Sequence, residues 1–564
     1  MRTNFCAAFR RRLSASVFPL GWIGSFFCGL PAGIAAESTH PNIVFVLSDD
    51  HSYPYLGCYG EPEMKTPNLD RFAAEGFKGR RMFTAAPQCV PSRASILTGR
   101  SAVACRITRF SSPLPRDEIT FPEILKKEAG YFVGVLGRSY HLDGSGRGPE
   151  VSQRVFEEAH MVTFKERFDF VDATGQENVP MKMKEFFDQR PDKQPYFLWV
   201  NFSDPHHPWT TGQTPPDPAK VRVPGFLPDL PGVRKDLSEY MGEVEHADGD
   251  FQTVLDIIKE RAGLENTLIL FMGDNGMAFP SGKGNLHDPG LNVPLLAWWP
   301  GVIPAGGDSD VLMSGEDIGP TCLQAAGLAV PERMSGVGFL PLLRGEEFKS
   351  RSYIFAERGP HGGATFTENT LASAVDYSRA VRSSRYKLIY NVTPNLAYAP
   401  VDSAGNPGWQ EMVKAHADQA LASEFETLYF TSPRPVYEIY DLENDPAELH
   451  NIAGQSELKD TERELKEALQ RKMILDFDYL PLPIPSDPKK KGGGAQKGGA
   501  DASRLPMFLN KDADHDGRLT LEEFGKGRPP ADAEAWFKAR DQDHDGFVSK
   551  EEFLAASVPN APKR

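Results

Sequence analysis

Apolar runs that stop abruptly at polar clusters set the rhythm of the first half of this chain. Ile43 to Leu47 end at Asp49 and Asp50, and Tyr131 to Leu136 end at Gly137. The stretch 195–209, PYFLWVNFSDPHHPW, runs into Asp204-Pro205-His206-His207-Pro208. NTLILFMGDNG, 266–276, closes on Asp274-Asn275-Gly276. Runs apolar at every position, not at alternate ones, predict strands buried on both faces of a parallel sheet. Between them the period lengthens. Residues 66–76 read as a capped helix, with Leu69, Phe72, Ala73 and Phe77 at helical spacing. The segment after Cys89 is predicted helical with Ile96 and Leu97 facing inward. Residues 236–262 read as an amphipathic helix from Asp236 through Val254, Ile257 and Ile258. Strands alternating with helices predict an α/β fold, whose sites gather at the carboxyl ends of the strands. Further on, 379–391 and 436–442 alternate apolar with polar as strands of a smaller subdomain, and 441–453 reads as a turn and helix.

Length changes the picture first. At 564 residues the chain exceeds one compact core, so several domains are expected. The formal net charge of -15 argues against a nucleic-acid partner, yet leaves room for an anionic substrate met by a local cluster of cations. Residues 1–36 look like an export signal: Arg2, Arg10, Arg11 and Arg12, then an apolar run from Leu13 to Ile34, then small residues at Ala35 and Ala36. A retained signal anchor is the alternative, and no later stretch is long and apolar enough to span a membrane. The expected address is periplasm, cell surface or extracellular. Cys6 and Cys28 fall in the leader. Cys58, Cys105 and Cys322 make no disulfide framework, and one bridge among them stays open.

The chemistry lies in Cys89 to Arg100, CVPSRASILTGR. This stretch resembles the signature of type I sulfatases, C-x-P-S-R-x-x-x-L-T-G-R, at every fixed position. The resemblance implies an alkaline-phosphatase-like fold, a mixed sheet sandwiched by helices with a smaller C-terminal α+β subdomain. It also implies that Cys89 is oxidised to Cα-formylglycine by a formylglycine-generating enzyme. A hydrated aldehyde offers one hydroxyl to attack sulfur and a second to expel sulfate afterwards, and a hard divalent cation lowers the pKa of the attacking oxygen. By the same resemblance Asp49, Asp50, Asp274 and Asn275 bind one Ca²⁺ together with modified Cys89. Arg93 and His141 position the hydrate. Arg138 stands where the family commonly has lysine, and with Lys283 and His206 it holds sulfate; His206 also protonates the leaving group. Glu357, Arg358 and His361 are pocket candidates. The loop DNGMAFPSGKGNL looks like that of the heparan N-sulfatases, which implies an N-sulfated glucosamine substrate.

Beyond a Pro/Lys/Gly linker at 481–503, two near-repeats resemble EF-hand calcium loops. The first supplies Asp512, Asp514, Asp516, the Arg518 carbonyl, Thr520 and Glu523; the second supplies Asp541, Asp543, Asp545, the Phe547 carbonyl, Ser549 and Glu552. Expected domains are therefore the leader at 1–36, a catalytic domain at 37–365, its C-terminal subdomain at 366–480, the linker, and an EF-hand pair at 504–557 binding two Ca²⁺. Two further enzymatic readings remain: an O-sulfatase of another sulfated polysaccharide, and a phosphonate or phosphate monoester hydrolase of the same superfamily. A reading of another class is a calcium-dependent glycan-binding surface protein with an inactive sulfatase domain. Oligomeric state is not written in the sequence.

Overall fold

The computed structural model describes residues 40–110, 112–142, 150–210, 215–361, 375–484, 505–514, 516–527 and 529–555. The leader expected at 1–36, the boundary near 365 and most of the expected linker lie outside them. The chain divides into two units, at Ile484/Pro485, within the 481–503 stretch.

The first unit is built on a nine-stranded sheet. Its strands are β1 (Asn42–Ser48), β2 (Phe77–Phe83), β3 (Phe132–Gly137), β4 (Phe170–Val171), β5 (Tyr196–Asn201), β6 (Thr267–Gly273), β7 (Asn292–Trp298), β8 (Gly307–Ser309) and β9 (Met313–Ser314). They lie in the order β4-β3-β5-β1-β6-β7-β2-β8, with β9 also on β2. From β4 to β6 all pairings are parallel; β7 runs against both β6 and β2. β1 lies between β5 and β6, so every side chain from Ile43 to Leu47 is buried.

Period-two geometry sends those side chains to two layers. Helix α1 (Pro67–Glu75) packs with Val44 and Val46, whereas Ile43, Phe45 and Leu47 join a core with Ile96 and Leu97 of α2 (Cys89–Thr98) and Phe121, Ile124 and Leu125 of α3 (Phe121–Ala129). Val44 and Val46 join the other core, with Leu237, Val244, Phe251 and Val254 of the long helix α4 (Pro231–Arg261).

Several elements differ from the sequence reading. Phe77 does not extend α1: Gly76 breaks the helix and Phe77 opens β2. That strand, FKGRRMF, carries charges that hide its apolar pattern. Helix α4 starts at Pro231, ahead of Asp236, because Leu230 is extended and proline suits the first turn. In α2 all ten residues are buried, not only an inward face. Residues 441–453 form no helix. Asp445 accepts from the Leu449 and His450 amides and holds a turn there, and the helix α5 (Lys459–Leu475) comes later.

A second, antiparallel sheet orders β10 (Ile354–Arg358), β11 (Ser378–Arg382), β12 (Tyr386–Asn391) and β13 (Tyr437–Asp441). Val381, Leu388 and Ile439 on one face pack under Leu465, Leu469 and Met473 of α5. Ala380, Ile389 and Tyr440 on the other face meet Phe83, Leu286 and Leu291. Cys58, Cys89, Cys105 and Cys322 are free thiols.

The second unit is described separately. Helices α6 (Leu505–Lys511), α7 (Leu521–Gly525), α8 (Pro530–Arg540) and α9 (Lys550–Leu554) flank two loops joined by β14 (Arg518–Leu519) and β15 (Val548–Ser549). Phe508, Leu519, Phe524, Phe537, Val548 and Phe553 form its core. No helix among the described residues is long and apolar enough to cross a membrane.

Candidate active site

The register of β1 on β6 creates the site. Ser48 pairs with Gly273, so Asp49-Asp50 and Asp274-Asn275 emerge side by side from the same sheet edge. The Asp274 amide donates to the Ser48 carbonyl at 2.9 Å. The Asp50 amide donates to Asp274 Oδ1 at 2.9 Å, and Asn275 Nδ2 donates to Asp50 Oδ1 at 2.8 Å. Asp50 takes a φ of 60°, left-handed backbone that aspartate tolerates better than most residues.

After β2, Gln88 is extended and Cys89 opens α2. Cys89 Sγ lies 3.3 Å from Asp49 Oδ1 and 3.9 Å from Asp50 Oδ1. One turn on, Arg93 directs its guanidinium at the acids: 3.0 Å to Asp49 Oδ2 and 2.9 Å to Asp274 Oδ2. Its remaining nitrogen donates to the Arg138 carbonyl at 3.1 Å. From the end of β3, Arg138 Nε lies 2.8 Å from Asp49 Oδ2, and His141 Nδ1 lies 3.6 Å from the same oxygen. From the loop after β5, His206 Nε2 lies 3.8 Å from Asp50 Oδ2. His206 Nδ1 faces the His207 carbonyl, which fixes the proton there in the neutral ring and leaves Nε2 turned to the acids. Lys283, between β6 and β7, sits 2.9 Å from Asp50 Oδ2. All ten residues singled out for this site thus converge, though they come from five separate stretches of chain.

Acids and cations are packed together here largely out of contact with solvent. Burial presses Asp49 toward its neutral form, but the Arg138 and Arg93 guanidiniums outweigh it and hold the carboxyl well below the usual range. Burial, with Asp49 and Asp402 nearby, pushes Asp50 up to about 6 despite Lys283. Burial and Asp49 push Asp274 up to about 7. Burial, together with these acids, drives the Cys89 thiol well up. Burial lowers His141 and His206 to about 3. Asn275 Oδ1 is buried without a hydrogen-bond partner. Crowded carboxylates with an orphaned amide oxygen among them make a hard oxygen set that fits Ca²⁺.

The pocket candidates separate. Glu357 turns inward and accepts from the Val103 amide. Arg358 is buried against Asp376 at 3.0 Å. Only His361 reaches the site, between Gln88 and Asp402. His207 packs edge-on against Trp209. Sequence reasoning missed Asp402, which shares Lys283 at 2.8 Å, and a clamp behind His206. There Gln176 donates to Asp204 Oδ2 at 2.8 Å, and His246 lies 2.5 Å from the same oxygen. The Asp204 carbonyl accepts from the Asp49 amide at 3.1 Å. Asp402, Gln176 and His246 sit in no local motif; Asp204 belongs to the DPH segment, whose signal pointed to His206.

In the second unit the two loops repeat one geometry. The Gly517 amide donates to Asp512 Oδ2 at 3.1 Å and the Gly546 amide to Asp541 Oδ2 at 3.2 Å. Both glycines take positive φ, 82° and 87°, where a side chain would be strained. Glu523 and Glu552 reach back across their loops to the Ala513 and Gln542 amides. Asp512, Asp514 and Asp516 bring their oxygens together, as do Asp541, Asp543 and Glu552.

An acid cluster at parallel strand ends thus lies beside the cysteine that opens α2. The sulfatase family model matches residues 41–328, and the chain belongs to that family. A model for the C-terminal part of N-sulphoglucosamine sulphohydrolase matches 281–421, and EF-hand models match 508–526 and 533–556. An ulvan-active sulfatase of Formosa agariphila is 27% identical over 473 residues, 81% of this chain and 86% of that one. The human N-sulphoglucosamine sulphohydrolase is 27% identical over 459 residues, covering 73% of this chain and 86% of its own. Among solved structures, a protein in complex with its substrate D-glucosamine-2-N,6-O-disulfate superposes with a TM-score of 0.57 at 19% identity, over 80% of this chain and 100% of that one.

Proposed function

We propose that this sulfatase-family chain is an exported hydrolase that releases sulfate from an N-sulfated glucosamine, using a formylglycine made from Cys89 and one Ca²⁺. The observation that carries the reading is the placement of Cys89 Sγ 3.3 Å from Asp49 Oδ1, inside a buried ring of acids and cations. The match to the C-terminal model of N-sulphoglucosamine sulphohydrolase favours nitrogen-linked sulfate.

Asp49, Asp50, Asp274 and Asn275 would hold the cation. Bound there, calcium would lower the pKa of an oxygen nucleophile at position 89. Arg93 and His141 orient position 89, since both already contact Asp49 or its partners. Arg138 and Lys283 neutralise the sulfate oxygens; arginine at 138 adds a planar fork to the charge. His206 Nε2 faces the same edge and is the atom placed to carry a proton to the departing nitrogen. Burial of every acid except Asp402 excludes water from the charges and strengthens them.

A second reading, an O-sulfatase of another polysaccharide, is favoured by the similarity to the ulvan-active enzyme. Sulfate release from N-sulfoglucosamine and from 6-O-sulfated glucosamine separates the two. Release from the first alone, abolished by Cys89→Ala, supports the proposal. Release only from the O-sulfate replaces the substrate and keeps the mechanism. Mass analysis of the Cys89 peptide tests the modification itself: a converted but idle enzyme means another glycan, and a thiol left unmodified beside an active converting enzyme, with glycan binding and no turnover, would point to the glycan-binding alternative.

A further inference from the structure

Among the described residues, Asp402 is the one acid of the site that faces outward. Its side chain is 35% exposed, whereas those of Asp49 and Asp50 are fully buried. It stands on a firm base. Val401 and Ser403 on either side are buried, Val401 packs directly over Gly284 beside Lys283, and Asp402 itself takes a φ of 61°. Asp402 Oδ2 lies 2.8 Å from Lys283 Nζ, and Asp402 Oδ1 lies 3.6 Å from His361 Nε2. His361 is in turn held by Gln88 at 3.0 Å and by the edge of Phe110. The carboxylate is near enough to His206 to raise that ring's affinity for a proton, against the stronger effect of burial.

This placement is costly for a site that takes sulfate. A sulfate held by Lys283 would lie within a residue's reach of a second, solvent-facing negative charge, which repels it. The repulsion is offset only by a substrate that brings a hydrogen-bond donor or a positive charge to the same spot. A sulfate ester brings neither at its bridging oxygen. A sulfamate brings an N–H, and its product brings an ammonium.

We propose that Asp402, braced by His361 and Lys283, reads the sulfated atom as nitrogen, accepting the sulfamate N–H in the substrate and the ammonium in the product. The inference rests on the N-sulfoglucosamine reading and deepens it. Asp402 then serves as a specificity residue: it favours nitrogen-linked sulfate and penalises oxygen-linked sulfate at the same position.

The test uses the full-length enzyme and Asp402→Asn, an isosteric change that removes the charge. Charge-assisted hydrogen bonds of this kind correspond to about 10- to 100-fold in kcat/KM. That loss is expected on N-sulfoglucosamine, and the ratio of its kcat/KM to that on N-acetylglucosamine 6-sulfate is expected to fall by the same factor. Glucosamine should inhibit the wild type more strongly than N-acetylglucosamine does, and Asp402→Asn should erase the difference. Equal losses on both substrates, or equal inhibition by the two sugars, overturn the proposal. Should the variant not fold, the inhibition comparison on the wild type decides alone. Whether the wild type cleaves N-sulfoglucosamine at all decides the substrate reading separately; if it cleaves only the O-sulfate, inhibition of that reaction by the two sugars still decides the role of Asp402.

Discussion

Glu357 shows how much a single buried proton can weigh. Burial, with help from Asp476 and against Arg379 and Lys472, pushes its carboxyl up to about 8 from an ordinary 4.5. Below the ordinary value both folded and unfolded chains hold the proton. Between the two values the unfolded chain releases it and the folded chain keeps it, so stability falls as pH rises through this window. Glu357→Gln has no proton to lose and can still accept from the Val103 amide. It is expected to match the wild type at pH 5 and to exceed it at pH 8 by on the order of a few kcal/mol. Denaturant unfolding at the two pH values checks this; a gap that does not change with pH refutes it. At this scale the sequence was informative wherever a motif fixed the spacing, as at Cys89 and Arg93. It was silent on Asp402, whose partners lie far away in the chain and which belongs to no pattern.

Elements position what residues perform. The long helix α4 has an apolar side against the sheet and a polar residue, His246, that reaches Asp204. Gln176 completes the clamp with Nε2 on Asp204 and on Asp250, at 2.8 and 2.7 Å, and with Oε1 on the Asp204 amide at 2.9 Å. Through the Asp204 carbonyl the clamp meets Asp49, and through the following turn it sets His206. Gln176→Ala is expected to lower kcat by at least about tenfold, as misplaced groups do, with stability reduced by about 1–3 kcal/mol. Turnover and thermal melting measured together test it; unchanged kcat in a destabilised protein would make Gln176 merely structural. The strands β1, β3, β5 and β6 were legible because burial on both faces leaves an unbroken apolar run. β2 was not, since Lys78, Arg80 and Arg81 interrupt it and its burial comes from pairing with β7, a contact remote in sequence.

At the level of the whole molecule, calcium should divide between the two units. Under the proposed function the Asp49 cluster would hold one ion and the EF-hand loops two, so the full chain is expected to bind three ions by calorimetric titration. Glu523→Gln and Glu552→Gln should each remove or weaken one, and Asp50→Asn the third, together with activity. The short helices α7 and α9 begin at capping boxes in which Glu523 and Glu552 also serve Thr520 and Ser549. Chelation is therefore expected to lower helical circular dichroism in the second unit; a signal indifferent to chelator would mean that its fold does not depend on the metal. The division into two units was readable from composition, because a tract of Lys, Gly and Pro has nothing to bury.

The complete burial of α2 bears finally on timing in the cell. A sulfur atom with no exposed surface is out of reach of another protein's catalytic groups once the sheet has closed around it. Under the proposed function, conversion of Cys89 would therefore be confined to the interval between synthesis and folding. Each molecule's competence would then be settled at birth, and the specific activity of a preparation would record how well the host's modifying machinery kept pace with the ribosome.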